Sequence, residues 1–267
     1  MAAREGGTRT LTESVEGTPG APAVSALLFD VFGTVVDWRT GVARAARRFL
    51  ARHGRADLDP HAFADAWRAR YQPAMEEVRS GRRPFARLDV LHRENLEAVL
   101  RDHGLDPSGI GEAALRDLAL AWHRLDPWPD AVPGLLRLRS RYFLAPLSNG
   151  NVRLLADMAK RAGLPWDAVL GAEVARAYKP APEAYLRTAE VLGLAPAECM
   201  MVAAHNGDLA AARSVGLRTA FVTRPTEHGP GQTTDLWAAQ EWDVITDDFE
   251  DLADHLGCHA TPAVAAG

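Results

Sequence analysis

The polar stretches that could do chemistry stand directly behind apolar runs. Leu27-Leu28-Phe29 ends in Asp30, followed by Val31-Phe32-Gly33-Thr34. Phe143-Leu144-Ala145-Pro146-Leu147 ends in Ser148-Asn149-Gly150-Asn151, and Met200-Met201-Val202-Ala203 gives way to Ala204-His205-Asn206-Gly207-Asp208. Between the last two lies Ala177-Tyr178-Lys179-Pro180. Carboxylates, hydroxyls, amides, an ammonium and an imidazole are the material of nucleophilic and acid–base catalysis. In an open α/β sheet, reacting groups sit just beyond the carboxyl ends of the strands, and Asp30 stands at such a place. An isolated Asp-x-x-Gly-Thr also fits an ordinary β-turn, so the neighbouring stretches must carry the argument.

The elements that position these groups alternate between strand and helix. After the first strand, Trp38 to His53 has helical spacing, with Val42, Ala45, Ala46, Phe49 and Leu50 on one face. Residues 55–127 show no strand pattern; their apolar positions recur at threes and fours, punctuated by Gly54, Gly81 and Gly104. The expectation is a helical block inserted between the first and second strands. Pro127 to Gly134 marks the return to a core with strands at 142–147, near 168–170, 199–203, 218–222 and 243–245. Helices are expected at 151–162, from Lys179-Pro180 to about Leu192, at 208–215 and at 248–256. This alternation argues an α/β fold with a doubly wound, Rossmann-like parallel sheet and an inserted helical cap. The expected division is a disordered leader over 1–22, a core of 23–38 and 128–257, a cap of 39–127 and a flexible tail of 258–267.

Bulk properties narrow the function. The chain has 267 residues, 47% of them hydrophobic, enough for a sizeable core. Its net charge of −5 comes from interspersed acids and bases, with no basic stripe for nucleic acid. No apolar run has the length of a membrane span. Residues 1–22 lack the apolar segment of a signal peptide. Two cysteines, Cys199 and Cys258, fit a reducing compartment, and a cytoplasmic location is expected.

Taken in order, the four polar stretches resemble the four motifs of the haloacid dehalogenase superfamily, with a helical cap between the first and second. The resemblance covers roughly residues 24–256. Most of that superfamily are phosphatases, and two departures bear on the reaction. The phosphatases carry a second aspartate two residues after the nucleophile, where this chain has Phe32. An alkoxide leaving group benefits from such an acid, whereas a halide needs none. They also bind magnesium through acidic residues of the fourth motif, commonly within a Gly-Asp pair, where this chain has Ala203-Ala204, leaving Asp208 alone. No metal and no cofactor are therefore expected.

Other residues are similar to the (S)-2-haloacid dehalogenase branch. Trp67-Arg68 matches the position of its halide-receiving arginine; Tyr178-Lys179-Pro180 with Tyr185, and Leu147-Ser148-Asn149-Gly150, match two of its segments. The resemblance implies that Asp30 is the nucleophile, that Lys179 keeps it ionised, and that Arg68 faces the leaving halide. Asp208 would orient or deprotonate water. Thr34 would orient Asp30 through its hydroxyl or cap the helix that follows. Ser148, with the backbone N–H groups of Asn149 and its helix N-terminus, would bind the substrate carboxylate. Phe32, Tyr185, His205 and Asn206 complete the substrate-binding set, with Trp67 and Tyr71 as further walls. His205 replaces the asparagine of the best-known dehalogenases, and three roles stand open for it: a halide contact, an activator of water, or a satisfied buried histidine.

The implied reaction is hydrolysis of short 2-haloalkanoic acids through an aspartyl ester with inversion, giving a 2-hydroxy acid and halide. Fluoroacetate is retained as a hypothetical substrate. The branch tends to dimerise, so a homodimer is an open expectation. The rival readings are a phosphatase or phosphonate hydrolase of the same superfamily, and a non-catalytic small-acid-binding protein.

Overall fold

The computed structural model describes residues 24–259. Strand β1 (Ala26–Phe29) leads through a tight turn to the two-residue β2 (Val36–Asp37). Five helices follow: α1 (Trp38–Arg52), α2 (Pro60–Ala69), α3 (Tyr71–Arg79), α4 (Leu88–Asp102) and α5 (Glu112–Ala119). The chain returns through β3 (Asp126–Pro127), α6 (Ala131–Leu138) and β4 (Phe143–Pro146). Then come α7 (Val152–Ala162), α8 (Ala172–Ala175), α9 (Pro182–Val191) and β5 (Cys199–Ala203). The last elements are α10 (Asn206–Ser214), β6 (Arg218–Val222), β7 (Val244–Thr246) and α11 (Phe249–His255).

The main sheet has the order β4-β1-β5-β6-β7, and every pairing in it is parallel. Both faces are covered. Leu27 and Phe29 point into one apolar cluster, whereas Ala26 and Leu28 point into the other, all fully buried. Such a strand reads as a continuous apolar run because neither face meets water. Successive connections leave β1 for β4 on one side and β5 on the other. The crevice beyond its carboxyl end is therefore the topological switch point, where open α/β sheets place ligands.

Local signals set the helix boundaries. The Asp37 carboxylate accepts from Thr40 N at 3.0 Å and begins α1; Asp59, followed by Pro60, does the same for α2 through His61 N. Each such cap is worth about 1 kcal/mol. α7 stops at Gly163, which takes the left-handed conformation with φ 71°. Gly134 lets α6 and α11 touch, since a Cβ there would lie 2.5 Å from Phe249 Cβ.

Several boundaries differ from the sequence pattern. No strand forms near 168–170. The Asp167 carboxylate instead accepts from Leu144 N at 2.9 Å, while Asp167 N donates to Leu144 O, so β4 remains the edge of the sheet. The block expected to be wholly helical closes with β3, which pairs antiparallel with β2. α9 begins at Pro182 rather than at Lys179, and α10 at Asn206, which puts Asp208 in its first turn. Cys258 is buried and its carbonyl accepts from Arg137 Nε at 2.9 Å, so the expected loose tail is still packed at its first residue. The expected leader and residues 260–267 lie outside the described residues.

Candidate active site

Asp30 continues β1 by one residue, its N–H donating to Val202 O at 3.0 Å. Its carboxylate is nearly closed off from water, and both oxygens are engaged. Lys179 Nζ donates to Oδ1 at 2.8 Å, and Thr34 Oγ1 donates to Oδ2 at 2.8 Å. The Thr34 oxygen in turn accepts from Ala204 N at 3.0 Å, tying the first turn to the end of β5. His205 Nδ1 lies 3.1 Å from Asp30 Oδ2. Burial alone would raise the Asp30 carboxyl; the charges of Lys179 and His205 outweigh it and hold the group far below the usual carboxylate range.

Lys179 sits between two acids. Besides Asp30, its ammonium donates to Asp208 Oδ2, and Tyr185 OH donates to Asp208 Oδ1 at 2.6 Å. The Lys179 backbone is fixed by Asn149, whose Oδ1 accepts from Lys179 N at 2.8 Å. Burial opposes charge on Lys179, but the two carboxylates hold its pKa above the ordinary value. Burial and the neighbouring charge of Asp30 push Asp208 upward, against the opposing pull of Lys179. A carboxylate raised in this way is a better proton acceptor.

A cavity of about 520 Å³ opens over these groups, lined by Asp30, Phe32, Arg68, Asn149, Lys179, Tyr185, His205 and Asp208, among others. Arg68 reaches it from α2. Its guanidinium carbon lies 4.0 Å from the Tyr71 ring centroid, 5.3 Å from Trp38 and 5.8 Å from Phe32. Its Nη1 is buried without a hydrogen-bond partner in the protein. A buried unpaired cationic donor in an aromatic box suits a small anion that sheds its water on binding.

Not every residue expected at the site meets this cavity. Ser148 is buried behind it, its Oγ accepting from Gly150 N at 3.1 Å, and braces the turn. Asn206 is taken up by the loop that follows β6: its amide donates to Asp235 Oδ1 and Trp237 O and accepts from Ala239 N and Trp242 Nε1. Trp67 is fully buried with Nε1 on His92 O, while Tyr71 does line the cavity.

Two residues at the site carried no sequence signal. Glu227, 1% exposed, accepts from Trp38 Nε1 at 2.9 Å and meets His205 Nε2 at 2.9 Å. Arg224 donates to Thr34 O at 2.8 Å and forks onto the Asp130 carboxylate, pinning the turn that carries Thr34. Both come from the loop after β6, which has no apolar period to mark it. Arg79 also lines the cavity and donates to Lys179 O at 3.0 Å. Among the described residues, no group of three or more His, Cys, Asp or Glu side chains is arranged to hold a metal ion. No helix among them is long and apolar enough to cross a membrane.

A family model for haloacid dehalogenase-like hydrolases matches residues 24–216. The chain belongs to that family. An (S)-2-haloacid dehalogenase of Xanthobacter autotrophicus is 34% identical over 203 residues, spanning 75% of this chain and 76% of that one. Among solved structures, a defluorinating L-2-haloacid dehalogenase is 57% identical with a TM-score of 0.86, covering 88% of this chain and 95% of that one. An L-2-haloacid dehalogenase of Xanthobacter autotrophicus with chloropropionic acid covalently bound is 28% identical with a TM-score of 0.73, covering 89% and 100%. Both solved structures thus share this chain's overall fold.

Proposed function

We propose that the chain hydrolyses the carbon–halogen bond of short 2-haloalkanoic acids, L-2-haloacids and haloacetates, through an ester on Asp30. The observation that carries this reading is Arg68, whose unpaired buried Nη1 lies in an aromatic box on the cavity that Asp30 lines. Charge develops on a departing halogen mainly in the transition state, where such a donor raises the rate. Phe32 supports the same reading, because an apolar ring stands where an acid would serve an alkoxide leaving group. The similarity to the 2-haloacid dehalogenase of Xanthobacter autotrophicus, and to a structure so described with chloropropionic acid covalently bound, agrees with it.

Asp30 Oδ2 already faces two donors, whereas Oδ1 receives only Lys179, so Oδ1 has a lone pair free to attack. It displaces halide from the α-carbon with inversion, forming an ester. Water then adds to the ester carbon, giving one proton to Asp208 as the carbonyl electron pair moves onto Oδ2. On collapse the Cγ–Oδ1 bond breaks and the departing alkoxide recovers the proton from Asp208. The carboxyl left on Asp30 loses its remaining proton to solvent. Each turnover yields a 2-hydroxy acid, one halide and one proton.

The defluorinating relative supports fluoroacetate as a substrate. Fluoride is small and strongly hydrated, and Arg68, whose Nη1 is unpaired, would supply an N–H donor in exchange for water. Chloride and fluoride release from the haloacetates and L-2-chloropropionate, with and without a chelator, tests the reading. The expected result is chelator-insensitive release that Asp30→Asn abolishes. Magnesium-dependent phosphate release in its place would identify a phosphatase, and small-acid binding without turnover a non-catalytic protein. Fluoride release negligible beside chloride would remove fluoroacetate from the substrate range.

A further inference from the structure

We propose that Glu227 is a positioning residue that holds His205 as a two-donor imidazolium against Oδ2 of Asp30, giving the site a second fixed cation. The inference rests on the reading of Asp30 above. Its geometry starts from hydrogen-bonding capacity. His205 Nδ1 lies 3.1 Å from Asp30 Oδ2 and Nε2 lies 2.9 Å from Glu227 Oε2. Ionised carboxylates only accept, and a neutral imidazole has one N–H to give. Two carboxylate partners are both satisfied only when the ring carries both protons.

The surroundings are built for this pairing. Glu227 is sealed from water, and its other oxygen accepts from Trp38 Nε1 at 2.9 Å, which leaves Oε2 facing His205. Gly33, at φ 91°, makes room: a Cβ there would lie 2.1 Å from Glu227 Oε1. The turn behind the nucleophile therefore requires glycine for its backbone and for the carboxylate packed against it. Glu227 also lies beyond residues 24–216, so the stretch matched to the family does not contain it.

The charged groups around His205 come from every side. Asp30 and Glu227 flank it, Lys179 and Asp208 stand beyond Asp30, Arg68 reaches from α2, His228 Nε2 lies 3.6 Å from Glu227 Oε1, and Asp235 borders the cavity. Burial opposes charge on His205, but Glu227 and Asp30 outweigh it and raise the pKa well above its ordinary value. Glu227 itself is held low against burial by the charge of His205. When Asp30 becomes an ester it loses its charge, and Glu227 alone then keeps the proton on His205. That proton faces Oδ2, where negative charge appears as water adds. Thr34 and His205 form the donor pair for that oxygen.

The test combines pH profiles with nitrogen-15 NMR of the histidines. In the unaltered protein, His205 is expected to carry protons on both nitrogens at pH 8. Glu227→Gln keeps the shape but offers Nε2 no charge, and the alkaline limb of kcat should move at least one pH unit toward neutrality. Near pH 6, where an ordinary histidine is largely protonated, its kcat should return to within about threefold of the unaltered enzyme, with KM changed less than twofold. In a His205→Asn background the same substitution should leave the pH profile unmoved. A neutral His205 at pH 8 in the unaltered protein, or an equal loss at pH 6 and pH 9 in Glu227→Gln, would overturn the assignment. The NMR readout needs no turnover, so absence of halide release would count against the proposed reaction and leave the His205 result standing.

Discussion

Replacing Lys179 by methionine removes the one cation shared by Asp30 and Asp208 while keeping most of its length. Both acids and the ammonium are about 8–10% exposed. At 2.8 Å and an effective dielectric of about 20, the attraction between Lys179 and Asp30 is roughly 6 kcal/mol before desolvation is set against it. Removing one partner of such a buried pair costs about 3–5 kcal/mol net, because Asp208 is left with neither water nor a counter-ion and Asp30 with His205 alone. For a domain of this size that lowers Tm by about 6–20 °C at neutral pH. The pH dependence has a definite sign. In the unaltered protein the lowered Asp30 carboxyl gives stability above its unfolded pKa of about 4, lost as pH falls through the folded value. In the variant, burial raises Asp208 with no cation beside it and Asp30 keeps only His205 to hold it low, so stability relative to the unaltered protein falls as pH climbs above about 4. The difference in unfolding free energy, followed by urea titration from pH 4.5 to 7.5, should therefore widen with pH. kcat should drop by about 10²–10³ as Asp30 loses the ammonium that aims it and helps keep it ionised. A difference below about 1 kcal/mol, or one flat across that range, would refute the assignment of Lys179 as the counter-ion of both acids.

Arg68→Met should lower kcat for chloride release by about 10²–10³ while Tm moves by no more than about 3 °C, since the lost Nη1 makes no hydrogen bond and methionine keeps contact with Tyr71. A rise in KM at unchanged kcat would place Arg68 in ground-state binding instead. His123 joins Asp89 of α4 to Asp157 of α7 at 2.9 and 3.0 Å; burial opposes its charge, but the two carboxylates raise its pKa. That stabilisation is complete below about pH 6.5 and is lost as pH rises through the folded value. His123→Gln should thus cost about 1.5–3 kcal/mol at pH 6 and markedly less at pH 9, read from denaturant midpoints; equal costs would show that the ring is neutral throughout.

What could be read from the sequence follows from how each signal is encoded. Asp30 and His205 end buried parallel strands, and an apolar run that stops at a polar residue marks a sheet edge whatever the rest of the chain does. Lys179 and Asp208 were legible through the resemblance of their stretches to the superfamily's motifs. Ser148 and Asn206 had the right chemistry at the right strand ends, but their orientation depends on partners the local sequence does not reveal: Gly150 N for one, Asp235 and Trp242 for the other. The strand expected near 168–170 failed because one side chain, Asp167, took the hydrogen bond that a further strand would have needed. Glu227 and Arg224 lay out of reach for another reason. Their partners, Trp38 and Thr34, are 189 and 190 residues away in the chain, and the loop between β6 and β7 has no periodicity from which a site could be inferred.

A single turnover in water enriched in oxygen-18, with enzyme in excess over chloroacetate, tests the central claim most directly. Mass analysis of the hydroxy acid and of the peptide containing Asp30 gives the answer. Attack by Oδ1 on carbon, followed by addition of water to the ester carbon, predicts an unlabelled hydroxy acid and one heavy oxygen on Asp30. A labelled product with Asp30 unlabelled would mean that water attacks the substrate directly, and the role given to Asp30 would be wrong.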